Sequence, residues 1–147
     1  MMQTQKIKEF LIKVDKSFPV PLSQKQSLSE FAIKLCEKAT ICKIEENGEI
    51  ISMVAGYTEN LTDNIAYISV VATLENERGK GYSKSLVKDF INICKRKQID
   101  AIHLYTVSTN ISAVNLYKKL GFEEYIIENE SRKEDLHLIY YIKDKIK

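Results

Sequence analysis

Residues 65–83 read IAYISVVATLENERGKGYS. The first nine, Ile65–Thr73, are apolar on both faces, as a central strand covered on both sides must be. The rest leads into a helix starting near Gly81, whose inward stripe is Leu86, Val87, Phe90, Ile91 and Cys94. A strand that feeds a helix through glycines leaves unpaired backbone N–H groups where the helix dipole is positive, which favours an anion. Gly79 and Gly81 let the backbone approach a pyrophosphate closely, and Arg78 and Lys80 add positive charge. The spacing excludes two nucleotide loops. A Walker loop, Gly-x-x-x-x-Gly-Lys-Ser/Thr, would need glycine where Asn76 stands and lysine where Tyr82 stands, and a dinucleotide fingerprint fails at Lys84.

Upstream, Ile7, Phe10, Leu11 and Val14 form one helical stripe, and Phe18-Pro19-Val20-Pro21 breaks that helix. Ser27 and Glu30 make a capping box for a second helix with Leu28, Phe31, Ala32, Leu35, Cys36 and Ala39 inward. Thr40–Glu45 and Glu49–Tyr57 flank Asn47-Gly48, a hairpin signal. Downstream, Ala101–Val107 reads as a strand and Asn110–Leu120 as a short helix with Gly121 just past its end. Phe122–Glu128 and Leu136–Ile142 read as closing strands joined by the charged loop Asn129–Asp135. The order predicts one α/β domain over residues 1–147, a mixed sheet with helices on both faces, and Ile65–Thr73 parallel to Ala101–Val107.

Composition narrows the class. The chain of 147 residues is 44% hydrophobic and 29% charged, with five Gly and two Pro, which is globular. A net charge of +2 does not call for nucleic acid, and Lys80, Lys84 and Lys88 read as a solvated helix face. The polar opening MMQTQKIKEF, the lack of a membrane-length apolar run and three cysteines without metal spacing lead us to expect a cytoplasmic protein with no membrane or metal partner. Cys36, Cys42 and Cys94 read as packing residues.

A second motif lies at Asn110-Ile-Ser-Ala113-Val-Asn-Leu116-Tyr117-Lys-Lys-Leu-Gly121-Phe122. Asn110 and Tyr117, two helical turns apart, share a face. Together the two segments resemble the GNAT superfamily of acyl-CoA N-acyltransferases. Its loop pattern, Gln/Arg-x-x-Gly-x-Gly/Ala, is met from Arg78 to Ser83 except that Ser83 fills the last small position. Its Asn-x-x-Ala-x-x-Leu-Tyr-x-x-x-Gly-Phe pattern is met throughout, and the element order agrees from about Thr40 to Ile142.

The resemblance implies a mostly antiparallel sheet with a parallel, splayed strand pair that admits acetyl-CoA. Backbone groups of Val71, Ala72 and Thr73 would pair with the pantetheine arm. Arg78, Gly79, Lys80, Gly81, Tyr82, Ser83 and Lys84 would hold the pyrophosphate. Asn110 would bond the pantetheine, and Tyr117 would protonate the departing thiolate. An amine, from a small molecule or amino sugar before a protein, would attack directly, with no metal. A homodimer is compatible with this reading, and a non-catalytic acyl-CoA-binding regulatory module is the alternative. No carboxylate base occurs in His103-Leu104-Tyr105-Thr106-Val107, so Tyr67, Ser69 and Tyr105 are candidates to line a water chain. His103 reads as structural, and His137 as facing outward or toward the acceptor groove.

Overall fold

The computed structural model describes residues 3–144. Helices α1 (Gln3–Val14) and α2 (Leu28–Lys38) precede strands β1 (Thr40–Glu46), β2 (Glu49–Tyr57) and β3 (Ile65–Thr73). Helix α3 (Tyr82–Arg96), β4 (Ala101–Thr106), α4 (Ile111–Leu120), β5 (Glu123–Glu124) and β6 (Leu136–Tyr141) follow. The six strands form one sheet in the order β1-β2-β3-β4-β6-β5, antiparallel except for the β3–β4 pair.

Local signals act as the residue types require. The Ser27 side chain accepts from the Glu30 N–H at 3.3 Å and caps α2. Asn47 and Gly48 both take positive φ in the β1–β2 turn. The stripes of α1 and α2 pack with Met53, Ala55, Val70 and Ala72 on one side of the sheet. On the other side, Leu86, Val87, Phe90 and Ile91 of α3 and Tyr117 of α4 pack with Val54, Ala66, Ile68, Ile102 and Leu104.

Strand β3 serves both cores through a bulge. Ala66, Ile68, Val70 and Ala72 are alternate residues and belong on one face of a regular strand. Here Gly56 pairs with Ile68 and Ala55 with Val70, so Ser69 is the extra residue and the faces exchange across it. Gly56 is required at this place. A Cβ there would lie 2.5 Å from the Tyr67 carbonyl oxygen and 2.6 Å from the Phe90 ring.

The bulge coincides with the parting of β3 and β4. They pair only at Ile65–Ala101, Ala66–Ile102 and Tyr67–His103. Beyond that point β3 stays on β2 as far as Thr73, and β4 stays on β6 as far as Thr106. The facing edges from Ile68 and Leu104 onward are open, and the sheet splits into a V. One strand is shorter than expected. Of Phe122–Glu128 only Glu123–Glu124 is strand, with Tyr125 adding one bond to the His137 carbonyl. Ile126 and Ile127 are adjacent rather than alternating, so one face of a strand cannot bury both, and Ile126 is 90% exposed.

Candidate active site

The mouth of the V holds a cavity of about 580 Å³, and a second of about 340 Å³ lies deeper, between the strands and the N-terminal segment. Phe18, Val71, Asn110, Ala113 and Tyr117 line both, so the two adjoin at the N-terminal part of α4.

The first cavity is built from the loop after β3. Gly79 and Gly81 have φ of +83° and +82°, and Gly81 is the N-cap of α3. Neither glycine has a heavy atom within 4 Å of where a Cβ would sit, so left-handed backbone is what they supply. The loop is tied to β3. The Ser83 hydroxyl lies 2.8 Å from that of Thr73, which lies 2.7 Å from the buried Ser52 hydroxyl. Arg78 Nε donates to the Thr73 carbonyl at 3.4 Å. Serine in the small position thus serves as an anchor. Val71, Ala72, Thr73, Arg78, Gly79, Gly81, Tyr82, Ser83, Lys84, Asn110 and Tyr117 all line this cavity. Lys80 does not; its ammonium bonds Glu77 at 2.6 Å.

Asn110 caps α4, its side-chain oxygen accepting from the Ala113 N–H at 3.4 Å, which leaves the amide N–H₂ available. Tyr117 is 6% exposed and packs edge-on against Phe122, with ring centroids 5.7 Å apart. Burial alone pushes its phenol well above the ordinary range.

Next to Tyr105, which lines the second cavity, lies a polar cluster that the sequence did not reveal. His137, expected to face outward or into the groove, is 6% exposed. Its Nε2 lies 2.8 Å from His103 Nδ1, and its Nδ1 lies 2.5 Å from Glu130 Oε1. Tyr105, opposite His137 in the ladder, donates its hydroxyl to Glu130 Oε2 at 2.8 Å, and the Arg132 N–H donates to the same oxygen at 3.2 Å. These bonds hold the Glu130 carboxyl down at about 2 against the cost of its desolvation. Burial, then the neighbouring His137, pushes the His103 pKa down. An ionised Glu130 accepts from His137 Nδ1–H, and His137 Nε2 and His103 Nδ1 share one proton between them. Glu130 belongs to the loop, and nothing in its sequence neighbourhood marks it; only the β4–β6 register brings it to Tyr105 and His137.

The three cysteines are free thiols, none of them lining either cavity. Cys42 and Cys94 are buried, and desolvation pushes their thiols up to about 11 and about 12. Among the described residues no group of three or more His, Cys, Asp or Glu side chains is placed to hold a metal ion. No described helix is long and apolar enough to cross a membrane.

The profile of the Acetyltransferase (GNAT) family matches residues 8–122, most of the chain. This protein belongs to the GNAT family. An uncharacterized N-acetyltransferase of Bacillus subtilis, CgeE, is 36% identical over 63 residues, 43% of this chain but only 24% of that protein. A GNAT-family acetyltransferase from Staphylococcus aureus Mu50 superposes with a TM-score of 0.76 at 18% identity, covering 95% of this chain and 93% of that one. The PaiA N-acetyltransferase of Thermoplasma acidophilum, solved with coenzyme A, superposes at 0.74 with 14% identity over 95% of this chain and 92% of its own. At such identities the likeness is one of fold. The parting of β3 and β4 is the splayed parallel pair that the resemblance implied.

Proposed function

We propose that this protein transfers the acetyl group of acetyl-CoA to a primary amine, by direct attack and without an acyl-enzyme. The observation that carries the reading is the junction of the two cavities at Tyr117, one bounded by the glycine loop after β3 and the other by the groove between the strands and the N-terminal segment. The open edge of Val71–Thr73 offers backbone groups to the pantetheine arm, and one N–H polarises the thioester carbonyl. The N–H groups from Gly79 to Lys84 take the pyrophosphate, with Arg78 and Lys84 beside it. Asn110 fixes the arm through its amide. As the C–N bond forms and the C–S bond breaks, Tyr117 gives its proton to the sulfur. The proton lost by the amine leaves through solvent in the groove. A small-molecule amine suits the groove better than a protein, because its volume is only about 340 Å³.

The test is release of CoA thiol from acetyl-CoA across a panel of amines, with acetylated products confirmed by mass. Saturable binding of acetyl-CoA without turnover of any amine would replace this reading by the acyl-CoA-binding module.

A further inference from the structure

The groove that would receive the amine has a charge pattern of its own. Lys25, Lys34 and Arg132 line it, and no Asp or Glu does. Arg132 is held in place. Its guanidinium lies 4.3 Å from the centre of the Tyr105 ring, and Nε and Nη2 contact Asp135 at 2.7 and 2.6 Å. Nη1 donates to the Tyr67 hydroxyl at 3.4 Å, a long bond on the groove side that a better acceptor would displace. Opposite, Lys34 Nζ sits 5.3 Å from the centre of the Tyr57 ring. The Tyr57 hydroxyl is buried without a hydrogen-bond partner, the one such side-chain atom among the described residues. An orphaned buried O–H is costly unless something fills its valence, and Tyr57 is a residue of the groove wall, shared with the neighbouring cavity.

We infer that the groove binds an amine carrying an oxyanion, a carboxylate or a phosphate, which Arg132, Lys34 and the Tyr57 hydroxyl hold while the amine faces the thioester. This rests on the acetyl-transfer reading above and names its acceptor class. A forked guanidinium, an ammonium and a hydroxyl are the donors that an oxyanion takes. The same cations disfavour the ammonium form of a bound amine and so raise the fraction able to attack. Asp135 offsets part of the Arg132 charge, but its carboxylate is spent on Nε and Nη2, and the Glu130 carboxylate, the other acid beside Arg132, is spent on Tyr105, His137 and the Arg132 N–H. Acidic side chains do occur nearby: Glu37, Glu59 and Asp63 line a separate cavity on the far side of Lys34 and Tyr57. A polycation drawn to them would have to pass the cations of the groove.

The experiment compares amines in pairs that differ by the anion: β-alanine with propylamine, phosphoethanolamine with ethanolamine, and a phosphorylated glucosamine with glucosamine, with spermidine as the polycation. The first pair tests the carboxylate source, and the other two the phosphate source. We expect kcat/KM for at least one anionic member to exceed that of its twin by about 10-fold or more, the scale of one charge-assisted hydrogen bond. In Arg132→Gln and in Tyr57→Phe that advantage shrinks through KM, the anionic member losing more than its neutral twin. Tyr57→Phe removes an unpaired hydroxyl, so it leaves the melting temperature unchanged or raised. Neutral twins that match their anionic partners, or spermidine as the best acceptor, would overturn the inference while leaving acetyl transfer intact. Calorimetry of phosphoethanolamine and β-alanine with the CoA-bound protein separates the other failure. Binding that Arg132→Gln abolishes, with no amine acetylated, keeps the anion site and removes the transferase reading. Neither binding nor turnover with any anionic probe overturns the site.

Discussion

Replacing Tyr117 by Phe removes one oxygen and little else. The ring keeps its edge-on contact with Phe122 at 5.7 Å and its place in the core shared with Leu86, Phe90 and Leu138. The pKa of the phenol is raised by burial alone, with no hydrogen bond or charge contributing, so no internal partner is orphaned by the change. Stability should therefore move by less than about 0.5 kcal/mol, the range of substitutions that disturb no packing or bonding. Turnover should not be spared. Loss of a general acid typically costs on the order of 10²–10⁴-fold, which at about 1.4 kcal/mol per decade is about 3–5 kcal/mol of barrier. The proton matters most as the C–S bond breaks, so the loss belongs in kcat, with acetyl-CoA affinity nearly unchanged. Burial keeps the wild-type phenol protonated well above its usual titration range, so Tyr117 should contribute no alkaline limb to kcat at moderately basic pH. Steady-state thiol release, with calorimetry for acetyl-CoA and a thermal melt as controls, measures all three. An acyl donor with a less basic thiol needs less protonation and should recover part of the rate. Full activity in a folded Tyr117→Phe protein would refute the reasoning and leave Tyr117 a packing residue.

Gly81→Val should weaken CoA binding by about 5–30-fold in calorimetry, because a β-branched residue at φ +82° costs about 1–2 kcal/mol and moves the loop, although no neighbour is struck. Replacing Cys36, Cys42 and Cys94 together with residues of similar size should leave turnover intact, since the Cys42 and Cys94 thiols are held up near 11 and 12 and Cys36 packs against the core under α1 and α2; an acetylated cysteine trapped by mass spectrometry would contradict direct attack. The Glu130 carboxyl, held down to about 2 in the fold, contributes stability that is present above its unfolded value near 4.5 and is lost as pH falls toward 2. Glu130→Gln should therefore flatten the fall in stability between pH 5 and pH 3 on the order of one protonation step, as denaturant melts at the two pH values would show.

The elements and the glycine loop after β3 were legible because local chemistry fixes them. A stripe such as Ile7, Phe10, Leu11 and Val14 is satisfied by a helix, and the left-handed turn before α3 is visible as Gly81 in the chain itself. The polar cluster beside Tyr105 was not legible. Glu130, His137 and His103 meet because β4 pairs antiparallel with β6 so that Tyr105 faces His137, and register is a long-range property. His137, flanked by Leu136 and Leu138, reads as the polar side of an alternating strand. It is buried because the loop carrying Glu130 folds back over that side and supplies a partner. The end of β5 was misjudged for the opposite reason: Ile126 and Ile127 look like strand residues by type, but no layer lies above them to bury both.

The bulge at Ser69 has a cost that packing does not explain. Without Ser69, simple alternation would still put Ile68 toward α3 and Val70 and Ala72 toward α1 and α2, so both cores would be filled by a regular strand. The ladder to β2 would gain the pairing that the extra residue interrupts, and a straight β3 would run on beside β4 as it does from Ile65 to Tyr67. A strand shortened by that one residue would be the more regular partner of β2. The protein thus gives up one rung of a ladder at the place where β3 leaves β4, and selection for stability alone would be expected to restore that rung.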